Sequence, residues 1–145
     1  MTSSEIKFVP KGWGHEKWIV NTDEYCGKLL FFEEGKRCSW HYHKIKDETF
    51  YLQSGKLLLY YGDTDSLEGA KDIVLTPGDK FHIYRGLRHQ MIAIEPSELF
   101  EFSTQHFDED SYQSLPLYRQ CNSHQRVYLR IIDDTYIPTN LVVSL

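Results

Sequence analysis

His41 and His43 stand two residues apart in the stretch GKRCSWHYHKIKDETFYLQSG, and Glu48 follows five positions after His43. His89 comes later, in PGDKFHIYRGLRHQM. Three imidazoles and one carboxylate make a donor set for a single divalent transition metal: Zn, Mn, Fe, Ni or Co. No cysteine falls in the pattern, so a structural zinc site held by thiolates is not expected. In a strand, residues i and i+2 share a face. His41 and His43 then point one way, and Trp40 and Tyr42 the other. The four residues between His43 and Glu48 suffice to turn a corner and return Glu48 on the neighbouring strand. His89 must come from a more distant strand.

Holding such a set in place requires β structure, and the chain is patterned for it. Short strand-like runs cover residues 17–20, 25–32, 39–43, 48–53, 56–61, 72–75, 81–84, 89–94 and 98–104. Ser54-Gly55 predicts a hairpin between 48–53 and 56–61. Residues 62–69 form a polar loop, Thr76-Pro77-Gly78-Asp79 a turn, and Glu95-Pro96-Ser97 another turn. Many short strands broken by Gly and Pro indicate an all-β sandwich or barrel. Residues 107–113 read as a turn or short helix, 127–132 as a strand and 137–145 as an extended run.

Bulk properties narrow the classes. At 145 residues the chain suits one domain with a proper core. Aromatic content of 14%, with ten Tyr and eight Phe, leans toward strands. A net charge of −5 argues against nucleic acid as a partner. No apolar run approaches a membrane span, and the N-terminal residues do not read as a signal peptide. Three unpatterned cysteines, Cys26, Cys38 and Cys121, suit free thiols in a cytoplasmic protein.

The metal-type residues and their flanking glycines resemble the cupin superfamily. Its first motif is G-x5-H-x-H-x3,4-E-x6-G, matched by Gly35, His41, His43, Glu48 and Gly55. Its second is G-x5-P-x-G-x2-H-x3-N. Gly78, Gly86 and His89 match it, while Tyr84 replaces the proline and Ala93 the asparagine. The resemblance implies an all-β jelly-roll barrel at 8–107 with one central metal, followed by a C-terminal extension at 108–145. Pairing through outer strands, as in other small cupins, implies a homodimer. A narrower resemblance links KGWGHEKW to the KPWG-type opening of mannose-6-phosphate isomerase-like cupins, with Gly12 in the proline position. The acidic run at 101–110 is loosely similar to their tail, whereas His41 stands where the type II enzymes often carry Gln. It implies a small-molecule substrate, a sugar or sugar phosphate.

Three chemistries stay open. A sugar isomerase or epimerase would use the metal as a Lewis acid and a carboxylate or lysine to move the proton. Glu101 is the leading base, because alternation places it with Leu99 and Ser103, opposite Phe100 and Phe102. Glu16 and Lys17 are lesser candidates. Arg85, Arg88 and Lys17 are candidate substrate-binding residues, since guanidinium and ammonium groups bind phosphates and sugar acids. Lys44 and Lys46 read as solvated corner charges. Trp13, Trp18 and Trp40 offer rings for a sugar, Trp40 least, as it faces away from His41. The second chemistry is a non-haem iron dioxygenase; Cys38 would assist a thiol version, but alternation points it with Trp40, away from the histidines. The third is a non-catalytic carbohydrate-binding cupin. His15, His106 and His124 read as partly exposed polar residues, and His82 lies on a strand near the proposed site.

Overall fold

The computed structural model describes residues 5–114 and 143–144. The run at 127–132, most of that at 137–145, Cys121 and His124 lie outside the described residues. Eleven strands follow one another with no helix among the described residues: β1 Lys7–Lys11, β2 Gly14–Asn21, β3 Cys26–Phe32, β4 Arg37–Cys38, β5 His41–Tyr42, β6 Glu48–Gly62, β7 Lys71–Leu75, β8 Lys80–Ile83, β9 Arg88–Ser103, β10 Tyr112–Gln113 and β11 Val143–Ser144. No helix among them is long and apolar enough to cross a membrane. The all-β expectation holds.

Two long strands organise the molecule. β6 and β9 pair antiparallel from Glu48↔Ser103 to Gly62↔Arg88. Their first and last halves belong to different leaves of one curled sheet. In one leaf β1, β2, β3, the end of β9, the start of β6 and β8 lie side by side. In the other, β7, the end of β6 and the start of β9 are followed by β4 and β5. β10 extends this leaf beyond β5, and β11 runs parallel to β4.

The hairpin expected at Ser54-Gly55 and the turn expected at Glu95-Pro96-Ser97 are absent. Both signals fall inside long strands and mark the bend where β6 and β9 cross between leaves. The pairing register slips three times between Leu52 and Leu57. Gly55 takes φ 90°, and a Cβ there would lie 2.2 Å from the Pro96 carbonyl oxygen. A glycine is needed at that point because only it tolerates both the conformation and the close approach.

Between the leaves lies the main core, with Trp13, Phe32, Phe50, Leu52, Leu57, Leu59 and Leu99 among its buried residues. Each such side chain, fully buried, contributes about 1.5–3 kcal/mol. A second cluster of Trp40, Leu58, Tyr60, Leu67 and Ile92 packs on the outer side of the second leaf, under the 62–70 loop. The 107–113 segment is a turn followed by β10, not a helix.

Candidate metal centre and its cavity

His41 and His89 are direct cross-strand neighbours at the start of β5 and β9. His43 follows β5, and Glu48 opens β6 after the corner. The alternation of β5 and the return of the chain thus bring these four side chains together. A ligand nitrogen from each histidine lies within 4.8 Å of the other two. Glu48 Oε1 lies 3.4 Å from His89 Nε2 and 3.8 Å from His43 Nε2.

The outer ring nitrogens decide what the inner ones can do. His41 Nδ1 donates to the Ser39 carbonyl at 2.8 Å, His43 Nδ1 to the Asp110 carbonyl at 2.6 Å and His89 Nδ1 to the Leu87 carbonyl at 3.0 Å. A carbonyl oxygen only accepts, so each Nδ1 carries the proton and each neutral ring keeps its lone pair on Nε2. Burial drives the His41 pKa well below its ordinary value, helped by its histidine neighbours. Burial also lowers His43 to about 4, against the pull of Glu48. His89 Nε2 is buried and makes no hydrogen bond of good geometry. An orphaned lone pair facing two other imidazoles and a carboxylate fits a bound cation. Ligand atoms about 2.1 Å from such an ion lie about 3–3.5 Å from one another, close to the separations from Glu48 Oε1.

These residues open into a cavity of about 330 Å³ between the leaves. One side is apolar, with Trp13, Leu30, Phe32, Phe50 and Met91; the other carries charge. Lys46 Nζ lies 3.0 Å from Glu48 Oε2 and 3.1 Å from Glu101 Oε2. Burial works against the Lys46 charge, but Glu101 and Glu48 outweigh it and hold the ammonium charged above the usual lysine range. Burial likewise opposes the charge on Glu48 and Glu101, and Lys46 overcomes it, keeping both carboxylates below their ordinary pKa. Ser103 Oγ donates to Glu101 Oε2 at 2.9 Å. Among the described residues no hydrogen bond or ion pair reaches Glu101 Oε1.

Register explains which strand residues enter. Lys28 faces Glu101 across β3 and β9, Trp18 faces Lys28, and Glu101 faces Phe50, forming one inward row. The next row, Phe8–Lys17–Leu29–Phe100–Tyr51, faces outward. Lys17 is therefore exposed on the outer face, away from the cavity. Arg85 donates to the Ile45 carbonyl at 2.7 Å. Arg88 pairs with Asp65 and lies over the Tyr42 ring. Neither arginine lines the cavity. His82 is also outside, bonded to Asp47 at 2.7 Å.

Several residues read otherwise in the sequence belong to the wall. Lys46 is buried rather than solvated, because the 43–46 corner turns inward. His106, expected as a partly exposed polar residue, is half-buried and also lines the cavity; it accepts at Nδ1 from Lys28 at 3.0 Å, while Nε2 faces Asp108 at 3.1 Å. Burial, with the two nearby lysines, lowers its pKa. Cys38 also lines the cavity, contrary to the alternation argument. Parity does not run through this segment: β4 ends at Cys38 and β5 begins at His41, so Cys38 joins the inner core and Trp40 the outer cluster. Burial pushes the Cys38 thiol up to about 12.

Asp110, beyond the expected barrel, ties this corner together. Its carboxylate accepts from the backbone N–H groups of Lys44 at 2.9 Å, Ile45 at 3.1 Å and Lys46 at 2.9 Å. Its carbonyl holds His43.

Solved structures share this architecture. The structure of KdgF from Halomonas sp. superposes with TM-score 0.57 at 23% identity, over 66% of this chain and 81% of that one. The capsular polysaccharide assembling protein CapF from Staphylococcus aureus gives TM-score 0.65 at 16% identity, over 75% of this chain. Oxalate decarboxylase from Bacillus subtilis gives 0.66 at 16% identity, over 78% of this chain. This chain spans about a third of the latter two, 34% and 31%. At these identities the likeness is one of fold. No curated protein matches the sequence. The family model for the Cupin domain matches residues 28–102, more than half of the chain, and the barrel they build is the one described above: this chain belongs to the cupin family.

Proposed function

We propose that this cupin is a metal-dependent isomerase or epimerase of a small sugar-type substrate, with His41, His43, Glu48 and His89 as the metal ligands and Glu101 as the proton-transferring base. The observation that carries this reading is the open Oε1 of a buried, ionised carboxylate in the same cavity as the convergent imidazoles. When bound, the metal supplies Lewis-acid polarisation to a carbonyl and the hydroxyl beside it. Glu101 Oε1 takes the proton from the carbon bearing that hydroxyl and returns it to the neighbouring carbon. The hydroxyl proton passes between the two oxygens, so substrate and product are isomers and no electrons leave. Lys46 keeps Glu101 and Glu48 ionised and apart in role. Trp13, Phe32 and Phe50 keep the wall dry.

The polysaccharide-assembling name of one structural neighbour agrees with carbohydrate chemistry, whereas the decarboxylase name of another points elsewhere. The test is proton exchange of sugars and sugar derivatives in D2O by the metal-loaded protein. Exchange that needs metal and disappears in Glu101→Gln supports isomerisation. Saturable sugar binding with no exchange replaces it with the binding-module reading. Oxygen consumption by iron-loaded protein with thiols or catechols replaces it with the oxygenase.

A homodimer through the outer sheet face is part of this proposal. Phe8 and Phe102 stand 58% and 56% exposed there, and apolar area of that kind drives association. Sedimentation should give a dimer that Phe102→Lys weakens; a monomer at all concentrations refutes it.

A further inference from the structure

Lys28 is a buried cation that lies within ion-pair distance of two carboxylates but is hydrogen-bonded to neither. Its residue is 1% exposed. Among the described residues its one hydrogen bond is to His106 Nδ1 at 3.0 Å. Glu16 Oε1 and Glu101 Oε2 lie at 3.6 and 4.0 Å, beyond hydrogen-bond reach, and the Trp18 ring lies 4.2 Å from the ammonium. An ammonium has three donors, so two remain unspent. Buried donors left this way are costly. Glu16 cannot swing freely to meet it, because Trp18 Nε1 donates to Glu16 Oε1 at 2.7 Å. Trp13, whose buried Nε1 has no acceptor among the described residues, lines the same cavity. Two side chains lining one cavity thus keep N–H donors that meet no acceptor among the described residues. A carboxylate suits such donors, since it accepts at two oxygens and strengthens each bond to an ammonium by its charge.

Charge balance sets how much anion the cavity takes. Glu16, Glu48, Glu101 and Asp108 face Lys11, Lys28 and Lys46 around it. With a divalent metal bound, the wall is left with one positive charge in excess. A neutral sugar leaves that charge unmet. A phosphate monoester overshoots it beside Glu16 and Glu101. A single carboxylate cancels it.

We infer that Lys28 anchors the carboxylate of a monoanionic sugar acid, whose hydroxy-carbonyl end lies toward the three histidines. This rests on the isomerase reading for the reacting end alone; the anchor itself is read by binding. The cavity, at about 330 Å³, lies at the small end of ligand pockets and suits a single sugar unit rather than a polymer.

The experiment is calorimetric binding to the metal-loaded protein of glucuronate and galacturonate, against glucose, galactose and glucose 6-phosphate. We expect a uronate to bind most tightly. Lys28→Met should weaken its binding by about 10- to 100-fold, with metal content unchanged, and Lys28→Arg should retain most of it. Uronate binding by a metal-replete Lys28→Met protein equal to wild type overturns the proposal. So does a neutral sugar or sugar phosphate that binds wild type as tightly as the acids, or no binding of either acid. If Lys28→Met does not fold, the wild-type panel and Lys28→Arg still decide. Failure of D2O exchange with retained uronate selectivity would remove the isomerase reading and leave the anchor standing.

Discussion

At the scale of single residues, hydrogen bonding to the back of each ring turns three histidines into candidate metal ligands. A histidine whose Nδ1 is committed to a carbonyl has one lone pair left, and here all three are on the side facing the other rings. Burial then keeps His41 and His43 neutral. This has a consequence for the metal-free protein. In the unfolded chain His43 titrates near 6.5, while in the fold it stays neutral to about 4. As pH falls through that interval the unfolded state binds more protons than the folded one, so stability falls with it. The loss from His43 is on the order of 3 kcal/mol across the interval, with His41 adding in the same direction. Glu48 and Glu101 are depressed from 4.5, so their contribution is present above that value and is lost below it. Urea denaturation of metal-free protein should therefore show stability already declining between about pH 6.5 and 5, before the carboxylates titrate. A flat profile over that range would mean that these rings are not held neutral.

At the scale of elements, the site depends on a corner and the turn segment that straps it. Residues 43–46 place His43 and Lys46, and Asp110 gathers three of that corner's backbone donors. Asp110→Ala should cost about 2–4 kcal/mol, because buried N–H groups lose a charged acceptor. Asp110→Asn should cost less, and both should weaken metal binding by letting His43 shift. Chemical denaturation and metal titration check this; wild-type stability in Asp110→Ala contradicts it. The sequence reveals little of the strap, since Asp110 lies 64 to 67 residues from its partners. The ligand types and spacing are legible because strand alternation acts locally. Ser54-Gly55 and Pro96 mislead for the converse reason. They are local turn signals, overruled by the β6–β9 ladder, which pairs Ser54 with Glu98 and Lys56 with Glu95 and brings Gly55 against Pro96. Lys28 left a readable trace: it shares parity with Cys26, Leu30 and Phe32, all buried. A lysine on a strand is ordinarily read as a solvent-facing charge, and that prior hid the one residue that now suggests a ligand class.

At the scale of the whole molecule, the curled sheet has two different faces. Its inner face concentrates charge at one end of an apolar core, and its outer face presents Phe8, Lys17 and Phe102 to solvent. The cupin barrel fixes where a metal and a substrate can meet, while the chemistry rests on the residues lining the cavity. Everything proposed for that cavity requires one ion held by four side chains from β5, the corner after it, β6 and β9. The most direct measurement is metal occupancy of purified, reloaded protein by mass spectrometry, under graded chelator, for wild type and for His43→Ala, His89→Ala and Glu48→Gln. Wild type should hold one divalent ion per chain at chelator concentrations that strip each variant. Equal occupancy in wild type and His89→Ala would contradict the account at its centre.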